Sequence, residues 1–457
     1  MHIPRYMLVC LAWCCPLLIL SYLSEVDYLG PLYLRDYSTG SSPSNFPLNR
    51  SEEKEVYFQG EVFIPEKIEH EVNKGINRTG LKLLSSLYHH LPSVNRKYSS
   101  VSPEVEEFIK KLKEDLEVRG VARDPWDLAR KWATPNEVVP RSAPGLGDLL
   151  AALSTARITG AEPCALGSKL KVLITLEGNQ TALFKPMRYS RDAVIRKDGE
   201  DRHNAEIAAF HLGRILDNRM VPVAAGRVVA VAEELRSVAQ ATLAGTFYAD
   251  ESTDNETCFY GVCYYCRRTK PVCTTRGLLE GVVILWFPDH LPVVKFLHPW
   301  RSKYRTLAEW ETDSNYCEKV IKGQQSSRIL DFMDESVFDF LIQNGIRYHA
   351  VYVKDEANSS LVPMDNGKSL GDPSVDHMDL LAPLLQCCRI RQAMYDRLVL
   401  LSGGGMSWAL REVLAHDPVS PVLSDAHLRA IDRRVTHVLA ALSACSEKEG
   451  GWHNVLS

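Results

Sequence analysis

Four charged side chains in this sequence are ordered along the chain like the parts of a nucleotide site. Lys185 ends a predicted strand in the segment LFKP, and Asp201 and Glu206 flank the start of the next predicted helix. Asp365 lies far downstream, in MDNGK. A lysine can hold phosphate oxygens, a helix carboxylate can orient that lysine or share a cation, and a late aspartate can hold the cation. The set predicts binding of ATP with a divalent cation.

The surrounding pattern supplies elements that would position these side chains. A strand, a Gly-Asn turn and a second strand are predicted in LKVLITLEGNQTALFKP, which is typical of a β-hairpin. Small and apolar residues recur at helical spacing in HNAEIAAFHLGRIL. Strand patterns dominate as far as LEGVVILWF and helical patterns dominate after it. This order indicates an α+β chain of two lobes.

Composition excludes several classes of protein. The chain has 457 residues, a net charge of −4, 45% hydrophobic residues and 24% charged residues. These ordinary values argue against wholesale disorder and against a polytopic membrane protein. A nucleic-acid-binding protein usually has a strong basic excess, so no nucleic-acid partner is expected.

The N-terminus predicts a membrane anchor. Residues Tyr6 to Leu23 are apolar and uncharged, and Arg5 and Glu25 flank them. Such a run is long enough to span a bilayer, and Arg5 would keep its end in the cytosol. We therefore expect a cytosolic tail (1–5), a signal-anchor helix (6–24) and a flexible luminal stem (25–103). The alternative is a cleaved signal peptide, which would release a secreted protein.

Sequons and cysteines agree with a luminal location. Of 12 cysteines, three lie in the apolar run, Cys164 stands apart, and eight lie in the second half of the chain. An even set in an oxidising compartment indicates disulfides, although the C-x2-C pair Cys263/Cys266 also resembles half of a zinc site. The adjacent Cys387 and Cys388 cannot comfortably bond each other, so each needs another partner. Asn-x-Ser/Thr sequons, which predict N-glycosylation, occur at Asn49, Asn77, Asn179, Asn255 and Asn358.

Several longer strings carry a resemblance to a known family. From about Val105 to Cys445 the chain is similar to the Golgi secretory-kinase family, which includes the Golgi casein kinase, and within it to the glycosaminoglycan xylosylkinases. The most specific strings are CFYGVCYYC and LQCCRIR, supported by DRHNAEIAAFHLGRIL, WETDSNYC and MDNGKSLGDPS. The resemblance implies an atypical two-lobed protein-kinase-like fold, with an N-lobe (104–287) that carries a cysteine-rich insert and a helical C-lobe (288–457).

The resemblance also implies a reaction and its residues. The γ-phosphate of ATP would pass to the 2-hydroxyl of xylose in the proteoglycan linkage glycan, assisted by Mn²⁺ or Mg²⁺. The family's residues would correspond to Lys185, Lys169, Lys171, Asp201 and Asp365 at the nucleotide, with Glu206 and Asp365 on the metal. Its disulfides would be Cys258–Cys273, Cys263–Cys266, Cys317–Cys387 and Cys388–Cys445, with Cys164 outside these pairs.

One segment departs from the family. The family's catalytic stretch reads GNxDRHHYE, and this chain has QNGIRYHAV, so Ile346 stands at the catalytic aspartate. An isoleucine cannot accept the proton of an acceptor hydroxyl. General-base help is worth roughly 10²–10⁴-fold, about 3–5 kcal/mol of barrier. Val351 also replaces a glutamate that faces nucleotide in the family.

Three interpretations follow from this departure. The first is a nucleotide-binding pseudokinase in the Golgi membrane, which supports an active kinase paralogue as a homo- or heterodimer. The second is a still-active xylosylkinase that relies on positioning and metal, with His349 or the substrate covering for the missing carboxylate. The third is a structural luminal glycoprotein that binds no nucleotide.

Overall fold

The computed structural model describes residues 79–121, 123–164, 168–194, 201–301, 307–345, 347–356 and 358–457. All of them belong to one compact unit, Gly60–Ser457. The predicted tail (1–5), anchor (6–24), most of the stem, Asn49, Asn77 and Ile346 lie outside these ranges. Among the described residues, no helix combines the length and the apolar character that crossing a bilayer requires.

An antiparallel five-stranded sheet dominates the first half, with strand order β1-β2-β3-β8-β4. The predicted hairpin forms β2 and β3, joined through Gly178 and Asn179, whose φ angles of 82° and 58° are left-handed. Glycine and asparagine are the residues that adopt this conformation most readily. The strands of this sheet are β1 Ile158–Pro163, β2 Val172–Leu176, β3 Gln180–Pro186, β4 Ala224–Ala230 and β8 Leu278–Leu285.

The cysteine-rich insert lies between β4 and β8 and folds as a three-stranded sheet of β5 Phe247–Asp250, β6 Glu256–Phe259 and β7 Val272–Cys273. Cys258 pairs with Cys273 across β6 and β7, and the two form a disulfide. Cys263 and Cys266 form a second disulfide at the end of the insert. Closing the 15-residue loop stabilises the fold by about 3 kcal/mol in the chain-entropy model.

The second half is mainly helical, as the pattern predicted, with one two-stranded sheet of β9 Val293–Leu297 and β10 His349–Val353. The helices that precede β9 in the chain are α1 Thr79–Lys97, α2 Glu104–Glu114, α3 Pro125–Trp132, α4 Leu146–Thr155, α5 His203–Leu216 and α6 Ala241–Ala244. Helices from α7 onward are α7 Glu309–Thr312, α8 Tyr316–Ile321, α9 Ile329–Ile342, α10 Ala382–Cys387, α11 Gln392–Leu400, α12 Gly405–Leu414 and α13 Asp425–Lys448.

Two disulfides tie these helices together. Cys317 on α8 bonds Cys387 at the end of α10, and the neighbouring Cys388 bonds Cys445 on α13. The two adjacent cysteines therefore point to different helices, in the pairing that the family resemblance implied. Cys164 is buried and, among the described cysteines, is the one outside a disulfide.

The end of the predicted stem is not free chain, since α1 packs along α13. Leu84, Leu87 and Val94 are buried at a spacing of three and seven residues, which places them on one helical face. The imidazole of His90 lies 2.9 Å from the carboxylate of Glu447 on α13. The stem prediction (25–103) therefore needs revision for α1, because its apolar stripe is covered by the body of the protein.

A buried histidine links α13 to the loop that follows Asp365. Nε2 of His427 donates to the carbonyl oxygen of Leu370 at 2.9 Å, so Nδ1 accepts from the hydroxyl of Ser424 at 2.8 Å. Burial and the charge of Arg202 lower the pKa of His427 to about 4. The neutral imidazole is the form that makes both hydrogen bonds.

Docking of α1 has a testable energetic consequence. Replacing the fully buried Leu87 by alanine removes apolar contacts and leaves a cavity, so we expect a loss of about 3 kcal/mol in unfolding free energy. Ser86 is exposed on the same helix, and Ser86→Ala is the matched control, expected to stay within about 0.5 kcal/mol. Equal denaturant midpoints for the two variants would contradict this packing.

The neutral His427 predicts a pH dependence of stability. Its pKa is about 4 when folded, below the ordinary 6.5, so the unfolded chain takes up the proton first as pH falls. The stabilisation is complete above about pH 6.5 and is lost toward about pH 4. Between about pH 7.5 and about pH 5 this group accounts for a loss of about 2 kcal/mol. Denaturant titrations should show a shallower decline for His427→Gln than for the wild type; parallel declines would contradict the assignment.

Candidate functional site

The buried ammonium of Lys185 joins two carboxylates from distant parts of the chain. Its Nζ lies 2.6 Å from Oε1 of Glu206 and 2.7 Å from Oδ1 of Asp365. Lys185 is on β3, opposite Val282 of β8, and Glu206 is in the first turn of α5. The sheet thus presents the lysine to the helix, and the C-terminal half supplies the aspartate.

Mutual attraction explains why these charges are stable where they are. Burial alone would lower the pKa of Lys185, but the charges of Asp365, Glu206 and Asp201 outweigh it and raise the pKa well above its usual value. The Lys185 ammonium in turn holds the pKa of Asp365 far below its ordinary range. At neutral pH the lysine is charged and Asp365 is ionised. The ionised carboxylate of Asp365 remains accessible to solvent, since its side chain is 53% exposed.

Asp201 adds a third carboxylate beside this pair. Burial raises its pKa, and Oδ1 is buried without a hydrogen-bond partner in the described structure. The main-chain N–H of Arg202 donates to the carbonyl of Gly367 at 2.6 Å, which holds the segment against the loop after Asp365. A Cβ on Gly367 would lie 3.3 Å from Cγ of Asp201 and 3.4 Å from Nζ of Lys185. A glycine at this position therefore permits the close approach.

These oxygens are chemically suited to a hard divalent cation. Carboxylates are the protein ligands preferred by Mg²⁺ and Mn²⁺. Asp365, Glu206 and the unpaired Oδ1 of Asp201 converge around Lys185. An orphaned buried carboxylate oxygen normally indicates a missing ion or water. The chemistry of these donors therefore suits a divalent cation bound together with an anionic ligand.

The two predicted lysines before the hairpin have different surroundings. Both precede β2, which begins at Val172. Lys171 is buried, and its Nζ lies 3.9 Å from Oδ1 of Asp365. Lys169 instead has its ammonium 5.3 Å from the ring centroid of Tyr265 in the cysteine-rich insert. The structure thus brings Lys171 into the charged cluster and places Lys169 against the insert.

A second buried network supports the loop around Asp365. The guanidinium of Arg347 donates to both oxygens of Asp339, with Nη2 2.7 Å from Oδ1, and to Oδ1 of Asn366 at 2.9 Å. Asn366 donates to the carbonyl of Pro363 at 2.9 Å. Asp365 has φ 60° and ψ 54°, a left-handed conformation that aspartate tolerates better than most residues. Arg347 thus fixes the backbone that aims Asp365 at Lys185.

This second network of charged side chains is not predicted from the sequence. Burial raises the pKa of Asp339, while Arg347 opposes that shift. Glu335 lies one turn earlier on α9, with Oε1 3.4 Å from Nε of Arg347 and Oε2 3.5 Å from Nε2 of His298. The available signal was two acidic residues four apart inside the apolar segment FMDESVFDFLI. Such residues face the core and need buried partners.

The segment that departs from the family borders this network. Ile346 lies outside the described residues, between Gly345 and Arg347. His349 is exposed at the start of β10, opposite Leu297 of β9. Its pKa is lowered by partial burial and by the charges of Lys295 and Arg301. No described contact joins His349 to Lys185, Glu206 or Asp365. Val351 is buried on the same strand and pairs with Lys295.

A small cavity of about 50 Å³ opens beside this segment. Two tryptophans and two acids contribute to its wall, together with Gly345, Arg347 and Tyr348 of the segment that departs from the family. Its volume is well below the roughly 300–1,000 Å³ that is typical of small-ligand sites. The tryptophans are Trp300 and Trp310, and the acids are Asp339 and Asp379.

A family model, individual relatives and solved structures all show similarity to the same family. Residues 124–454 match the family model described as Golgi casein kinase, C-terminal, Fam20. Glycosaminoglycan xylosylkinase from Homo sapiens is 45% identical over 337 residues, covering 72% of this chain and 82% of the relative.

Two solved structures share the fold. The structure of hydra Fam20 with sugar has a TM-score of 0.70 and 40% identity, covering 73% of this chain and 98% of that one. The Golgi casein kinase with Mn/ADP bound has a TM-score of 0.69 and 25% identity, covering 90% and 96%. The fold is therefore the mixed helix-and-sheet, kinase-like fold of that family, and this chain belongs to the Fam20 family.

Proposed function

We propose that this protein binds ATP with a divalent cation at the charged cluster of Lys185, Glu206 and Asp365. The observation that carries the proposal is the joint contact of the Lys185 ammonium with Glu206 and Asp365. Lysine, helix carboxylate and late aspartate are the recurring parts of kinase nucleotide sites. The related Golgi casein kinase was solved with Mn/ADP, which supports the same class of ligand here.

Each residue of the charged cluster has a distinct role in this proposal. Lys185 and Lys171 hold phosphate oxygens, because both are buried cations beside Asp365. Glu206, Asp365 and Asp201 hold Mn²⁺ or Mg²⁺, whose charge offsets that of the phosphates when nucleotide is bound. The ion also relieves Oδ1 of Asp201, which otherwise has no described partner.

The acceptor class follows from the relatives. Relatives named glycosaminoglycan xylosylkinase point to xylose. The acceptor proposed here is a xylose-containing proteoglycan glycan, phosphorylated at the 2-hydroxyl of its xylose. The cavity between Trp300 and Trp310 lies next to the catalytic loop, where an acceptor hydroxyl would approach. An isoleucine at position 346 has no group that could accept the proton of that hydroxyl, and the missing base costs about 3–5 kcal/mol of barrier.

The function that this combination favours is a nucleotide-binding pseudokinase. It acts in the Golgi lumen, held by its N-terminal segment, as a homodimer or as a heterodimer with an active paralogue that it supports. The chemistry for gripping nucleotide remains, while the group that prepares the alcohol is absent. The sequons described by the structure at Asn179, Asn255 and Asn358 are all exposed, which is compatible with a glycosylated luminal protein.

The second candidate is a xylosylkinase that still transfers phosphate. Two observations favour it: the acceptor cavity is lined by the carboxylate of Asp339, and the lowered pKa of His349 keeps that imidazole neutral and able to accept a proton. Against it, Asp339 is already ion-paired with Arg347, and His349 has no described contact with the nucleotide cluster.

Nucleotide binding can be tested by thermal shift with ATP and Mn²⁺. A ligand that binds only the native state at about 100 times its Kd stabilises by about 2.7 kcal/mol, so the melting temperature should rise. Asp365→Asn keeps the shape and the left-handed backbone but removes the anionic ligand, and should lose most of the rise. Asp355→Asn, at an exposed turn residue that also has positive φ, is the matched control. An unchanged melting temperature for the wild type at saturating ligand would eliminate both candidate functions.

Phosphoryl transfer can be tested with labelled ATP and a galactosyl-xylose acceptor. Restoring the base in Ile346→Asp should raise the rate about 10²-fold or more, because positioning and metal groups are already present. Ile346→Asn introduces a side chain with the shape of aspartate but without its charge. Its transfer rate should stay near that of the wild type. Wild-type transfer that His349→Gln abolishes would establish the second candidate and refute the pseudokinase.

A further inference from the structure

A second and larger cavity, of about 360 Å³, lies at the β2–β3 turn end of the five-stranded sheet. None of the charged residues around Lys185 lines it. Its aromatic walls are Trp126 of α3 and Trp286 and Phe287, which follow β8. We call it the indole cavity. Its volume falls in the range of roughly 300–1,000 Å³ that is typical of small-ligand sites.

All three residues of one sequon line the indole cavity: Asn179, Gln180 and Thr181. Asn179 is exposed in the three-residue turn between β2 and β3. Nε1 of Trp126 donates to the carbonyl of Glu177 at 3.0 Å, and a Cβ on Gly178 would lie 3.0 Å from Cδ1 of the same indole. The turn is therefore pinned to the aromatic wall, and Asn179 lies at the rim.

The lining of the cavity suits a pyranose ring, because it combines apolar walls with polar side chains. Apolar contacts come from the indoles, from Val138 and from Val223, while Arg130, Asp289 and His290 lie at the same cavity. Aromatic faces pack well against the C–H face of a sugar, and polar side chains can bond its hydroxyl and acetamide groups.

We propose that Asn179 carries an N-linked glycan whose first N-acetylglucosamine residue occupies the indole cavity. The side-chain amide nitrogen of Asn179 bonds to the anomeric carbon of a lipid-pyrophosphate-linked oligosaccharide. The lipid pyrophosphate leaves, the amide loses one proton, and nothing is oxidised. The inference rests on the proposed luminal location, which gives access to that donor, and is independent of nucleotide binding.

The test uses the full chain expressed in a secretory host, with glycopeptide mass spectrometry at Asn179. One sample is trimmed by an endoglycosidase that leaves a single sugar, and another is fully deglycosylated by an amidase. Hydroxyl-radical labelling of Trp286 should rise several-fold only after full removal. The melting temperature should fall by roughly 2 °C in the same step and not in the trimming step. An unmodified Asn179, or equal labelling of Trp286 in both samples, would overturn the proposal.

Two variants separate the sugar from side effects of deglycosylation. Thr181→Val destroys the sequon while keeping Asn179 and a β-branched strand residue, and should leave Trp286 as reactive as in the deglycosylated sample. Asn255→Asp removes the sequon in the exposed turn between β5 and β6, outside the indole cavity, and should leave Trp286 protected. If Thr181→Val does not fold, the two enzymatic samples still decide. The shift with ATP and Mn²⁺ is expected in every sample, so a missing shift bears on the proposed function alone.

Discussion

The ammonium of Lys185 is the constraint on which the arrangement of the site depends. It is almost fully buried, and its contact with Asp365 spans 180 residues of sequence. A buried charge is tolerated only when it is paired, and removing one partner of such a pair costs roughly 3–5 kcal/mol. The sheet, helix α5 and the loop at Asp365 must therefore meet at one point. The left-handed Asp365 and the bare backbone of Gly367 are local consequences of that meeting.

Arg347 is a second buried charge that is stabilised by a paired carboxylate. Its guanidinium bonds Asp339 on α9 and Asn366 next to Asp365, so the loop carrying the family's catalytic position is anchored by a neighbour of that position. This anchor is present in a chain that has Ile346 where the family resemblance implies aspartate. An isoleucine cannot accept a proton, and the charged groups around Lys185 are nevertheless in place. That separation is what makes a binding role without transfer physically reasonable.

Several elements were predictable because their causes are local. The β2–β3 hairpin follows from alternating apolar residues around a Gly-Asn turn, and α5 follows from the periodicity of its small and apolar residues. The roles of Lys169 and Lys171 could not be separated, since two lysines two residues apart outside a strand have no fixed direction. The pairing of Cys387 and Cys388 likewise depended on which helices lay nearby. The sequence places helix α1 in the stem, because its narrow apolar face can be recognised as a packing surface only once α13 is seen to cover it.

By itself, the sequence determined the chemistry that is available: a lysine, three carboxylates, an even set of eight cysteines and an isoleucine where the family resemblance implies a base. Residue types and short-range periodicity are written in the chain and need no partner to be recognised. Only the tertiary structure decided which of these groups meet, that Lys171 rather than Lys169 faces Asp365, and that the sequon at Asn179 borders an aromatic cavity. Such contacts join residues far apart in sequence. They are selected by the burial of charge and apolar surface in the whole fold, which no local pattern records.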